Sequence, residues 1–237
     1  MEYIYHRIFG YSFTILIHGA NLTYLALFLP PKVFETPHLM ILRNLQPRYF
    51  TIWTVIVQII YATVSLLCEL MTLMNSRKKN YELPKYLRRL RDVLFSSIMW
   101  PSTWVVAIFF WTLYIYDTSL IFPKYTEQLL NPVSNHIMHS FIVPVGIWEL
   151  FYRQRREPKT HVKYFYHLLF HFLLYFIVIT YTFIERGIWI YPIFTKLYGT
   201  IYFPLIHVAI SLLALSAYFI QWPLGDYVWQ KSVKKLV

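Results

Sequence analysis

Residues 50–73 read FTIWTVIVQIIYATVSLLCELMTL, an apolar run with one acid near its end. As a helix, a run of this length crosses the ~30 Å hydrocarbon core of a bilayer. Its polar residues, Thr51, Thr54, Gln58, Ser65 and Glu69, recur at helical spacing and share one face. Polar side chains are costly in lipid and turn toward a bundle interior. The stretch therefore reads as a membrane helix with an inward face. It lacks the alternation of a barrel wall, and backbone satisfaction in lipid leaves the helix as the alternative.

Five further apolar runs lie on either side of it. The expected spans are residues 9–30, 50–73, 93–116, 136–152, 164–184 and 198–221, the fourth being short. The fold class is all-α: a six-transmembrane-helix bundle in a single membrane domain, 1–237, without internal repeat, low-complexity stretch or long linker. With 57% hydrophobic and 14% charged residues in 237, and a mean hydropathy of +0.44, an ordinary soluble domain is excluded. The first run is too long for a signal-peptide core, lacks a small-x-small cleavage site and reads as a retained helix. Tyr11, Thr14, His18 and Asn21 form an inward stripe on it, and Thr200, His207, Ser211 and Ala214 do so in the last span. Pro101, Pro144 and Pro204 lie inside spans three, four and six, where kinks would open a lipid-shaped cavity.

The formal charge of +11 is concentrated between spans. Arg77, Lys78, Lys79, Lys85, Arg88, Arg89 and Arg91 follow the second span, Arg153, Arg155, Arg156, Lys159 and Lys163 follow the fourth, and Lys231, Lys234 and Lys235 lie in the tail. Cytoplasmic loops keep the excess of Lys and Arg, so both termini are expected in the cytosol, with spans two, four and six starting on the opposite side. The basic loops suit anionic headgroups, and no nucleic-acid motif accompanies them. The end, Lys234-Lys235-Leu236-Val237, resembles a dilysine retrieval signal and points to the endoplasmic reticulum, with the plasma membrane as the alternative. Cys68, the single cysteine, excludes an intrachain disulfide and a CxxC site. Glu69 and Glu149 fall near cytoplasmic span ends, within reach of basic loops.

GxSxG, Walker A and GxGxxG motifs are absent. The fourth span opens Asn135-His136-Ile137-Met138-His139-Ser140, and His167 and His171 form an HxxxH pair in the fifth. Helical rise separates those two pairs by roughly 15 to 20 Å in depth, too far for one metal cluster. His18, His139 and His207 are alternatively axial ligands of a haem oxidoreductase. Most of the polar residues serve equally well as interhelical hydrogen-bonding groups. Thr51 and His139 stand out because each lies at the start of a span on the same side, at one depth, where an imidazole can take the proton of a hydroxyl. The competing reading of Thr51 is a helix cap.

Phe50-Thr51 through Gln58, Leu90-Arg91-Asp92, Tyr116-Asp117 with Phe122-Pro123-Lys124, Asn135-His136-Ile137-Met138-His139, Trp189-Ile190-Tyr191-Pro192 and Asp226-Tyr227-Val228-Trp229 occur in one order along the chain. In them the sequence resembles the androgen-induced gene and androgen-dependent TFPI-regulating protein family of multipass membrane proteins. The resemblance implies a threonine hydrolase that cleaves fatty acid esters of hydroxy fatty acids, with Thr51 as nucleophile and His139 as its base. His136 and Asn135 then have supporting roles, and Asp117 or Glu185 would orient an imidazole. No cofactor or metal is implied. The expected partners are membrane lipids and a lipid ester arriving from the bilayer, not nucleic acid. The alternative is a lipid-binding or regulatory membrane protein without turnover. Phe122-Pro123-Lys124 replaces the family's frequent Tyr-Pro-Lys, and Thr54 stands where relatives carry an acid, so substrate preference is expected to differ.

Overall fold

The computed structural model describes residues 3–28, 36–78 and 81–234, and within them all regular structure is helical. The helices are α1 (Ile4–Leu27), α2 (Pro37–Leu45), α3 (Phe50–Met74), α4 (Lys85–Val93), α5 (Trp100–Tyr116), α6 (Pro132–His139), α7 (Ile142–Tyr152), α8 (Val162–Arg186), α9 (Pro192–Leu197) and α10 (Tyr202–Lys234). A π-helical segment, Leu94–Met99, joins α4 to α5 in one rod, Lys85–Tyr116. Among the described residues, four helices are long and apolar enough to cross a membrane: Phe50–Met74, Lys85–Tyr116, Val162–Arg186 and Tyr202–Gln230. The expected end of the first span at Pro30, Lys32, Lys79 and the Lys235-Leu236-Val237 part of the tail signal lie outside the described residues.

Three expected spans differ from the helices that form. The span at 136–152 is two helices, broken after His139, where the Ser140 and Phe141 N–H groups both donate to the His136 carbonyl at 2.9 Å. Pro144 explains the break, because its ring clashes with the Ser140 carbonyl in a continuous helix. The span at 93–116 begins earlier, at Lys85. Leu87, Arg91 and Val93 turn inward while Lys85, Arg88 and Arg89 stay exposed, an amphipathic continuation that an apolar window does not detect. The last span, expected at 198–221, starts after Gly199 (φ 81°) and continues through Pro223 into a polar stretch. Pro144 and Pro204 occupy first turns rather than helix interiors, where a missing N–H costs nothing. Pro101 follows the π-helical segment that contains its i−4 residue, Ser97.

The inward stripes of the first two spans are buried throughout, including His18 and Gln58 at 0% exposure. Bonds between Arg7 and Glu69 (2.8 Å) and between His18 and Gln58 (2.8 Å) run α1 antiparallel to α3, since each step up one helix is matched by a step down the other. The Gln58 amide also donates to Thr103 Oγ1 (3.0 Å) and the Ile142 carbonyl (2.9 Å), tying α1, α3, α5 and α7 together. The stripe expected in the last span is not buried as a whole. Ala214 is, but Thr200 and Ser211 are exposed, because α10 runs along the periphery.

At the Glu69 end of the bundle the acids are paired with bases. Glu69 meets Arg7 and Arg91 at 2.8 and 2.9 Å. Glu149, 1% exposed, accepts from Tyr11 (2.7 Å), Tyr61 and Arg155. Gly10 lies against Trp148 so closely that a Cβ would fall 2.3 Å from its Nε1.

Gly10→Ala is therefore expected to lower the unfolding temperature in detergent. Gly19→Ala, with nothing within 4 Å, should raise stability by about 0.5–1 kcal/mol. In the same assay, Glu149→Gln leaves buried guanidinium groups short of a counter-charge and should cost about 3 kcal/mol. Loss of the more exposed Arg48–Glu185 pair by Glu185→Gln should cost under about 1 kcal/mol.

Candidate active site

The start of α3 leaves Thr51 free to point across the bundle. Tyr49 occupies the cap position in an extended conformation, so Thr51 is not the helix cap that its position suggests. A helical threonine ordinarily bonds the carbonyl four residues back, as Thr54 does with Phe50 at 3.0 Å. For Thr51 that carbonyl belongs to Pro47, and it accepts from Trp53 Nε1 at 2.9 Å. The Thr51 hydroxyl instead lies 3.2 Å from His139 Nε2, with both residues buried. Ile52 and Trp53 donate their N–H groups to the Tyr49 carbonyl, whereas the Thr51 N–H meets no acceptor among the described residues.

His139 is the last residue of α6, next to the break that Pro144 imposes. Its Nδ1 is 3.0 Å from the Asn135 carbonyl. Only a protonated Nδ1 can donate there, which leaves the Nε2 lone pair facing Thr51. Phe110 stacks on the ring at 3.6 Å with 11° between planes. Trp111 Nε1 donates to the His139 carbonyl at 3.3 Å. The imidazole is thus fixed in orientation and tautomer by a carbonyl and an aromatic face.

Thr51 and His139 line a cavity of about 340 Å³ that is otherwise mainly apolar. Val106, Phe110, Phe172 and Ile179 contribute walls, and Leu42 of α2, Gln46 just after it, and Ile121, Phe122, Pro123, Tyr125 and Thr126 after α5 line it as well. Leu169, Leu173 and Phe176 of α8 line the cavity and are also 64%, 51% and 41% exposed, so it opens outward along that helix. On the far side of the opening His207, Ile210 and Ser211 contribute from α10. These two helices are joined at their other end, where His161 Nδ1 lies 2.8 Å from Tyr218 Oη.

Two lining tyrosines hold the start of α3. The Phe50 N–H donates to Tyr175 Oη (2.9 Å) and Tyr191 Oη (3.1 Å), and the two hydroxyls are 2.9 Å apart. One of the two hydroxyl protons bridges the pair, leaving the other outside it. Burial pushes the Tyr191 phenol up to about 12, which keeps it protonated. Tyr175 carries no spacing signal that would have marked it in advance. Tyr191 lies in the Trp189-Ile190-Tyr191-Pro192 segment.

Asp117 and Glu185 do not orient the imidazole, contrary to expectation. Asp117 accepts from the Ser119 N–H at 2.9 Å, which holds its carboxyl below the usual range, and faces Lys196 at 3.6 Å. Glu185 pairs with Arg48 at 2.6 Å. Both acids lie in exposed ion pairs, where lysine and arginine compete for them. His136 is half-exposed, bonds Ser140 Oγ through Nδ1 at 3.1 Å and stacks on Trp111. Asn135 meets His139 through its carbonyl, while its buried Oδ1 has no partner among the described residues.

The remaining histidines are spread through the bundle. His171 Nε2 lies 3.2 Å from Ser102 Oγ, and its ring is 5.5 Å from that of Phe50. His171 thus lies beside the start of α3, closer to Thr51 and His139 than helix counting suggests. Among the described residues, no group of three His, Cys, Asp or Glu side chains is arranged to hold a metal. Of the three imidazoles considered for haem, His139 and His207 line the cavity, and His18 bonds Gln58 away from it.

The sequence is 30% identical to the androgen-dependent TFPI-regulating protein of Homo sapiens over 174 residues, 73% of this chain and 67% of that protein. It is 29% identical to the Mesocricetus auratus protein of the same name over 192 residues, 80% of each chain. Against the androgen-induced gene 1 protein of Homo sapiens it is 23% identical, over 79% of this chain and 80% of that one. No solved structure matches it. A profile described as FAR-17a/AIG1-like protein matches residues 45–223, a stretch that holds both Thr51 and His139 and all the cavity-lining residues except those of α1 and α2. With its fold, its paired hydroxyl and imidazole and most of its length inside that match, the chain belongs to the FAR-17a/AIG1-like family.

Proposed function

We propose that this protein is an intramembrane lipid ester hydrolase acting on fatty acid esters of hydroxy fatty acids. Thr51 is the nucleophile, His139 the general base, and no metal or organic cofactor takes part. The observation that carries this reading is the 3.2 Å approach of Thr51 Oγ1 to His139 Nε2 in the wall of an apolar cavity open along α8. A chain that only bound lipid would have no need of a tautomer-fixed imidazole on a hydroxyl.

In the reaction His139 Nε2 accepts the Thr51 proton as Oγ1 attacks the ester carbonyl. The developing oxyanion takes hydrogen bonds from the Thr51 N–H and from the hydroxyl left over by the Tyr175–Tyr191 pair. Collapse breaks the ester bond, and the imidazolium returns its proton to the departing hydroxy fatty acid. Water, deprotonated by the same nitrogen, then attacks the acyl-threonine, releases the fatty acid and restores the hydroxyl. The Asn135 carbonyl supports the imidazolium through Nδ1 in both steps.

In the same reading α1, and α6 with α7, complete six spans. Both termini and the basic segments around Arg77 and Arg153 face the cytosol, and the Thr51 end faces the opposite side. Substrate reaches the site sideways from the bilayer, between α8 and α10.

Thr51→Ala and His139→Ala are each expected to lower ester cleavage by at least about 10³-fold and to abolish covalent labelling by a fluorophosphonate. Thr51→Ser should keep measurable turnover, and Asp117→Asn and Glu185→Gln should stay within about twofold of wild type. Turnover by purified, folded Thr51→Ala at the wild-type rate would eliminate the mechanism. Gln58→Leu touches no substrate but frees the Ile142 carbonyl beyond the α6–α7 break, and kcat should fall more than KM rises.

A further inference from the structure

We propose that His207 is a specificity residue whose Nε2 accepts a hydrogen bond from an O–H group of the lipid in the cavity. The site would then select esters that carry a second, hydrogen-bond-donating group. As a statement about substrate this rests on the hydrolase reading above; as a statement about binding it stands alone.

His207 lies in the second turn of α10 and lines the same cavity as Thr51 and His139. Its Nδ1 is 2.8 Å from the Phe203 carbonyl, so that nitrogen carries the proton and Nε2 presents a lone pair. Nε2 is buried and has no partner among the described residues. Ser211, the neighbouring polar residue on the helix, donates to the His207 carbonyl at 2.8 Å and does not supply the missing donor. Aromatic rings rather than donors surround the imidazole. Phe194 stacks on it at 5.0 Å, Phe203 lies at 4.7 Å and Phe176 meets it edge-on at 5.3 Å.

An acceptor held unpaired in an apolar wall forfeits the hydrogen bonds it would make in water. A bound O–H restores one. Simple esters, ethers and hydrocarbon chains offer no donor, whereas an alcohol or a protonated carboxylic acid does. The geometry thus discriminates by donor, not by chain length, and an ester with a free hydroxyl or carboxyl would be anchored at two points, its carbonyl at Thr51 and its O–H at His207.

The test is competition binding to the full-length Thr51→Ala protein in detergent, read by native mass spectrometry, so that nothing is consumed. Methyl 12-hydroxystearate competes with methyl stearate in one arm, and stearic acid at acidic pH competes with methyl stearate in the other, separating hydroxyl from carboxyl donors. A preference of about fivefold for the donor-bearing lipid is expected in at least one arm, the size of one net hydrogen bond. His207→Phe should bring the ratio to about one, and His207→Gln, which keeps an acceptor, should retain part of it. Equal binding in both arms with His207 intact, or a preference that survives His207→Phe, overturns the proposal. Turnover of wild type is measured separately: a binding preference without any ester cleavage would defeat the hydrolase reading and leave this subsite standing.

Discussion

The polar seam along α3 holds the rest of the structure in place. Lipid tails solvate apolar side chains as well as a neighbouring helix does, so apolar contact alone gives helices little reason to choose one register. Gln58 supplies that reason. Fully buried, it bonds His18, Thr103 and the Ile142 carbonyl, and any sliding of α1, α5 or α7 along α3 would strand an amide in hydrocarbon. The buried Glu69, about three turns further along α3, and Glu149 on α7, paired with arginines from three separate segments, set the same register at the other end.

The site depends on that register because it is assembled from two helix ends. The α3 start exposes a threonine whose local carbonyl is already taken, and the α6 end exposes an imidazole whose second nitrogen is already satisfied. Gln58 lies two turns below Thr51, about 10 Å along the helix, and its bond to Ile142 fixes the chain three residues beyond His139. One amide therefore links the positions of Thr51 and His139 without touching either. The break that brings His139 to a helix end follows from a proline and the carbonyl it excludes.

Outside the seam the packing is looser, and this looseness shapes the cavity. α8 and α10 are held together near Tyr218 and Trp222, while toward the Thr51 end aromatic side chains from α5, α8 and α9 line the space between them. Residues such as Leu169 and Leu173 face the cavity and the outside at once. In water such a gap would be a liability; in a bilayer the surrounding chains can fill it.

Much of this organisation can be read from residue order. Span length and the cost of polar groups in lipid are local properties, so the helices around residues 50–73 and 164–184 and the inward faces through Gln58 and His18 follow from the sequence by itself. The amphipathic start at Lys85, the break after His139 and the exposed face of α10 do not, because a window that scores apolarity cannot register a basic helix, a single carbonyl clash or a peripheral position. The partners of Asp117 and Glu185 were also decided by folding, since an acid on the correct side pairs with the cation that packing delivers. The meeting of Thr51 with His139, 88 residues apart, is likewise a tertiary result. Periodicity determines which face of a helix points inward, but only the mutual packing of several helices determines what it meets there.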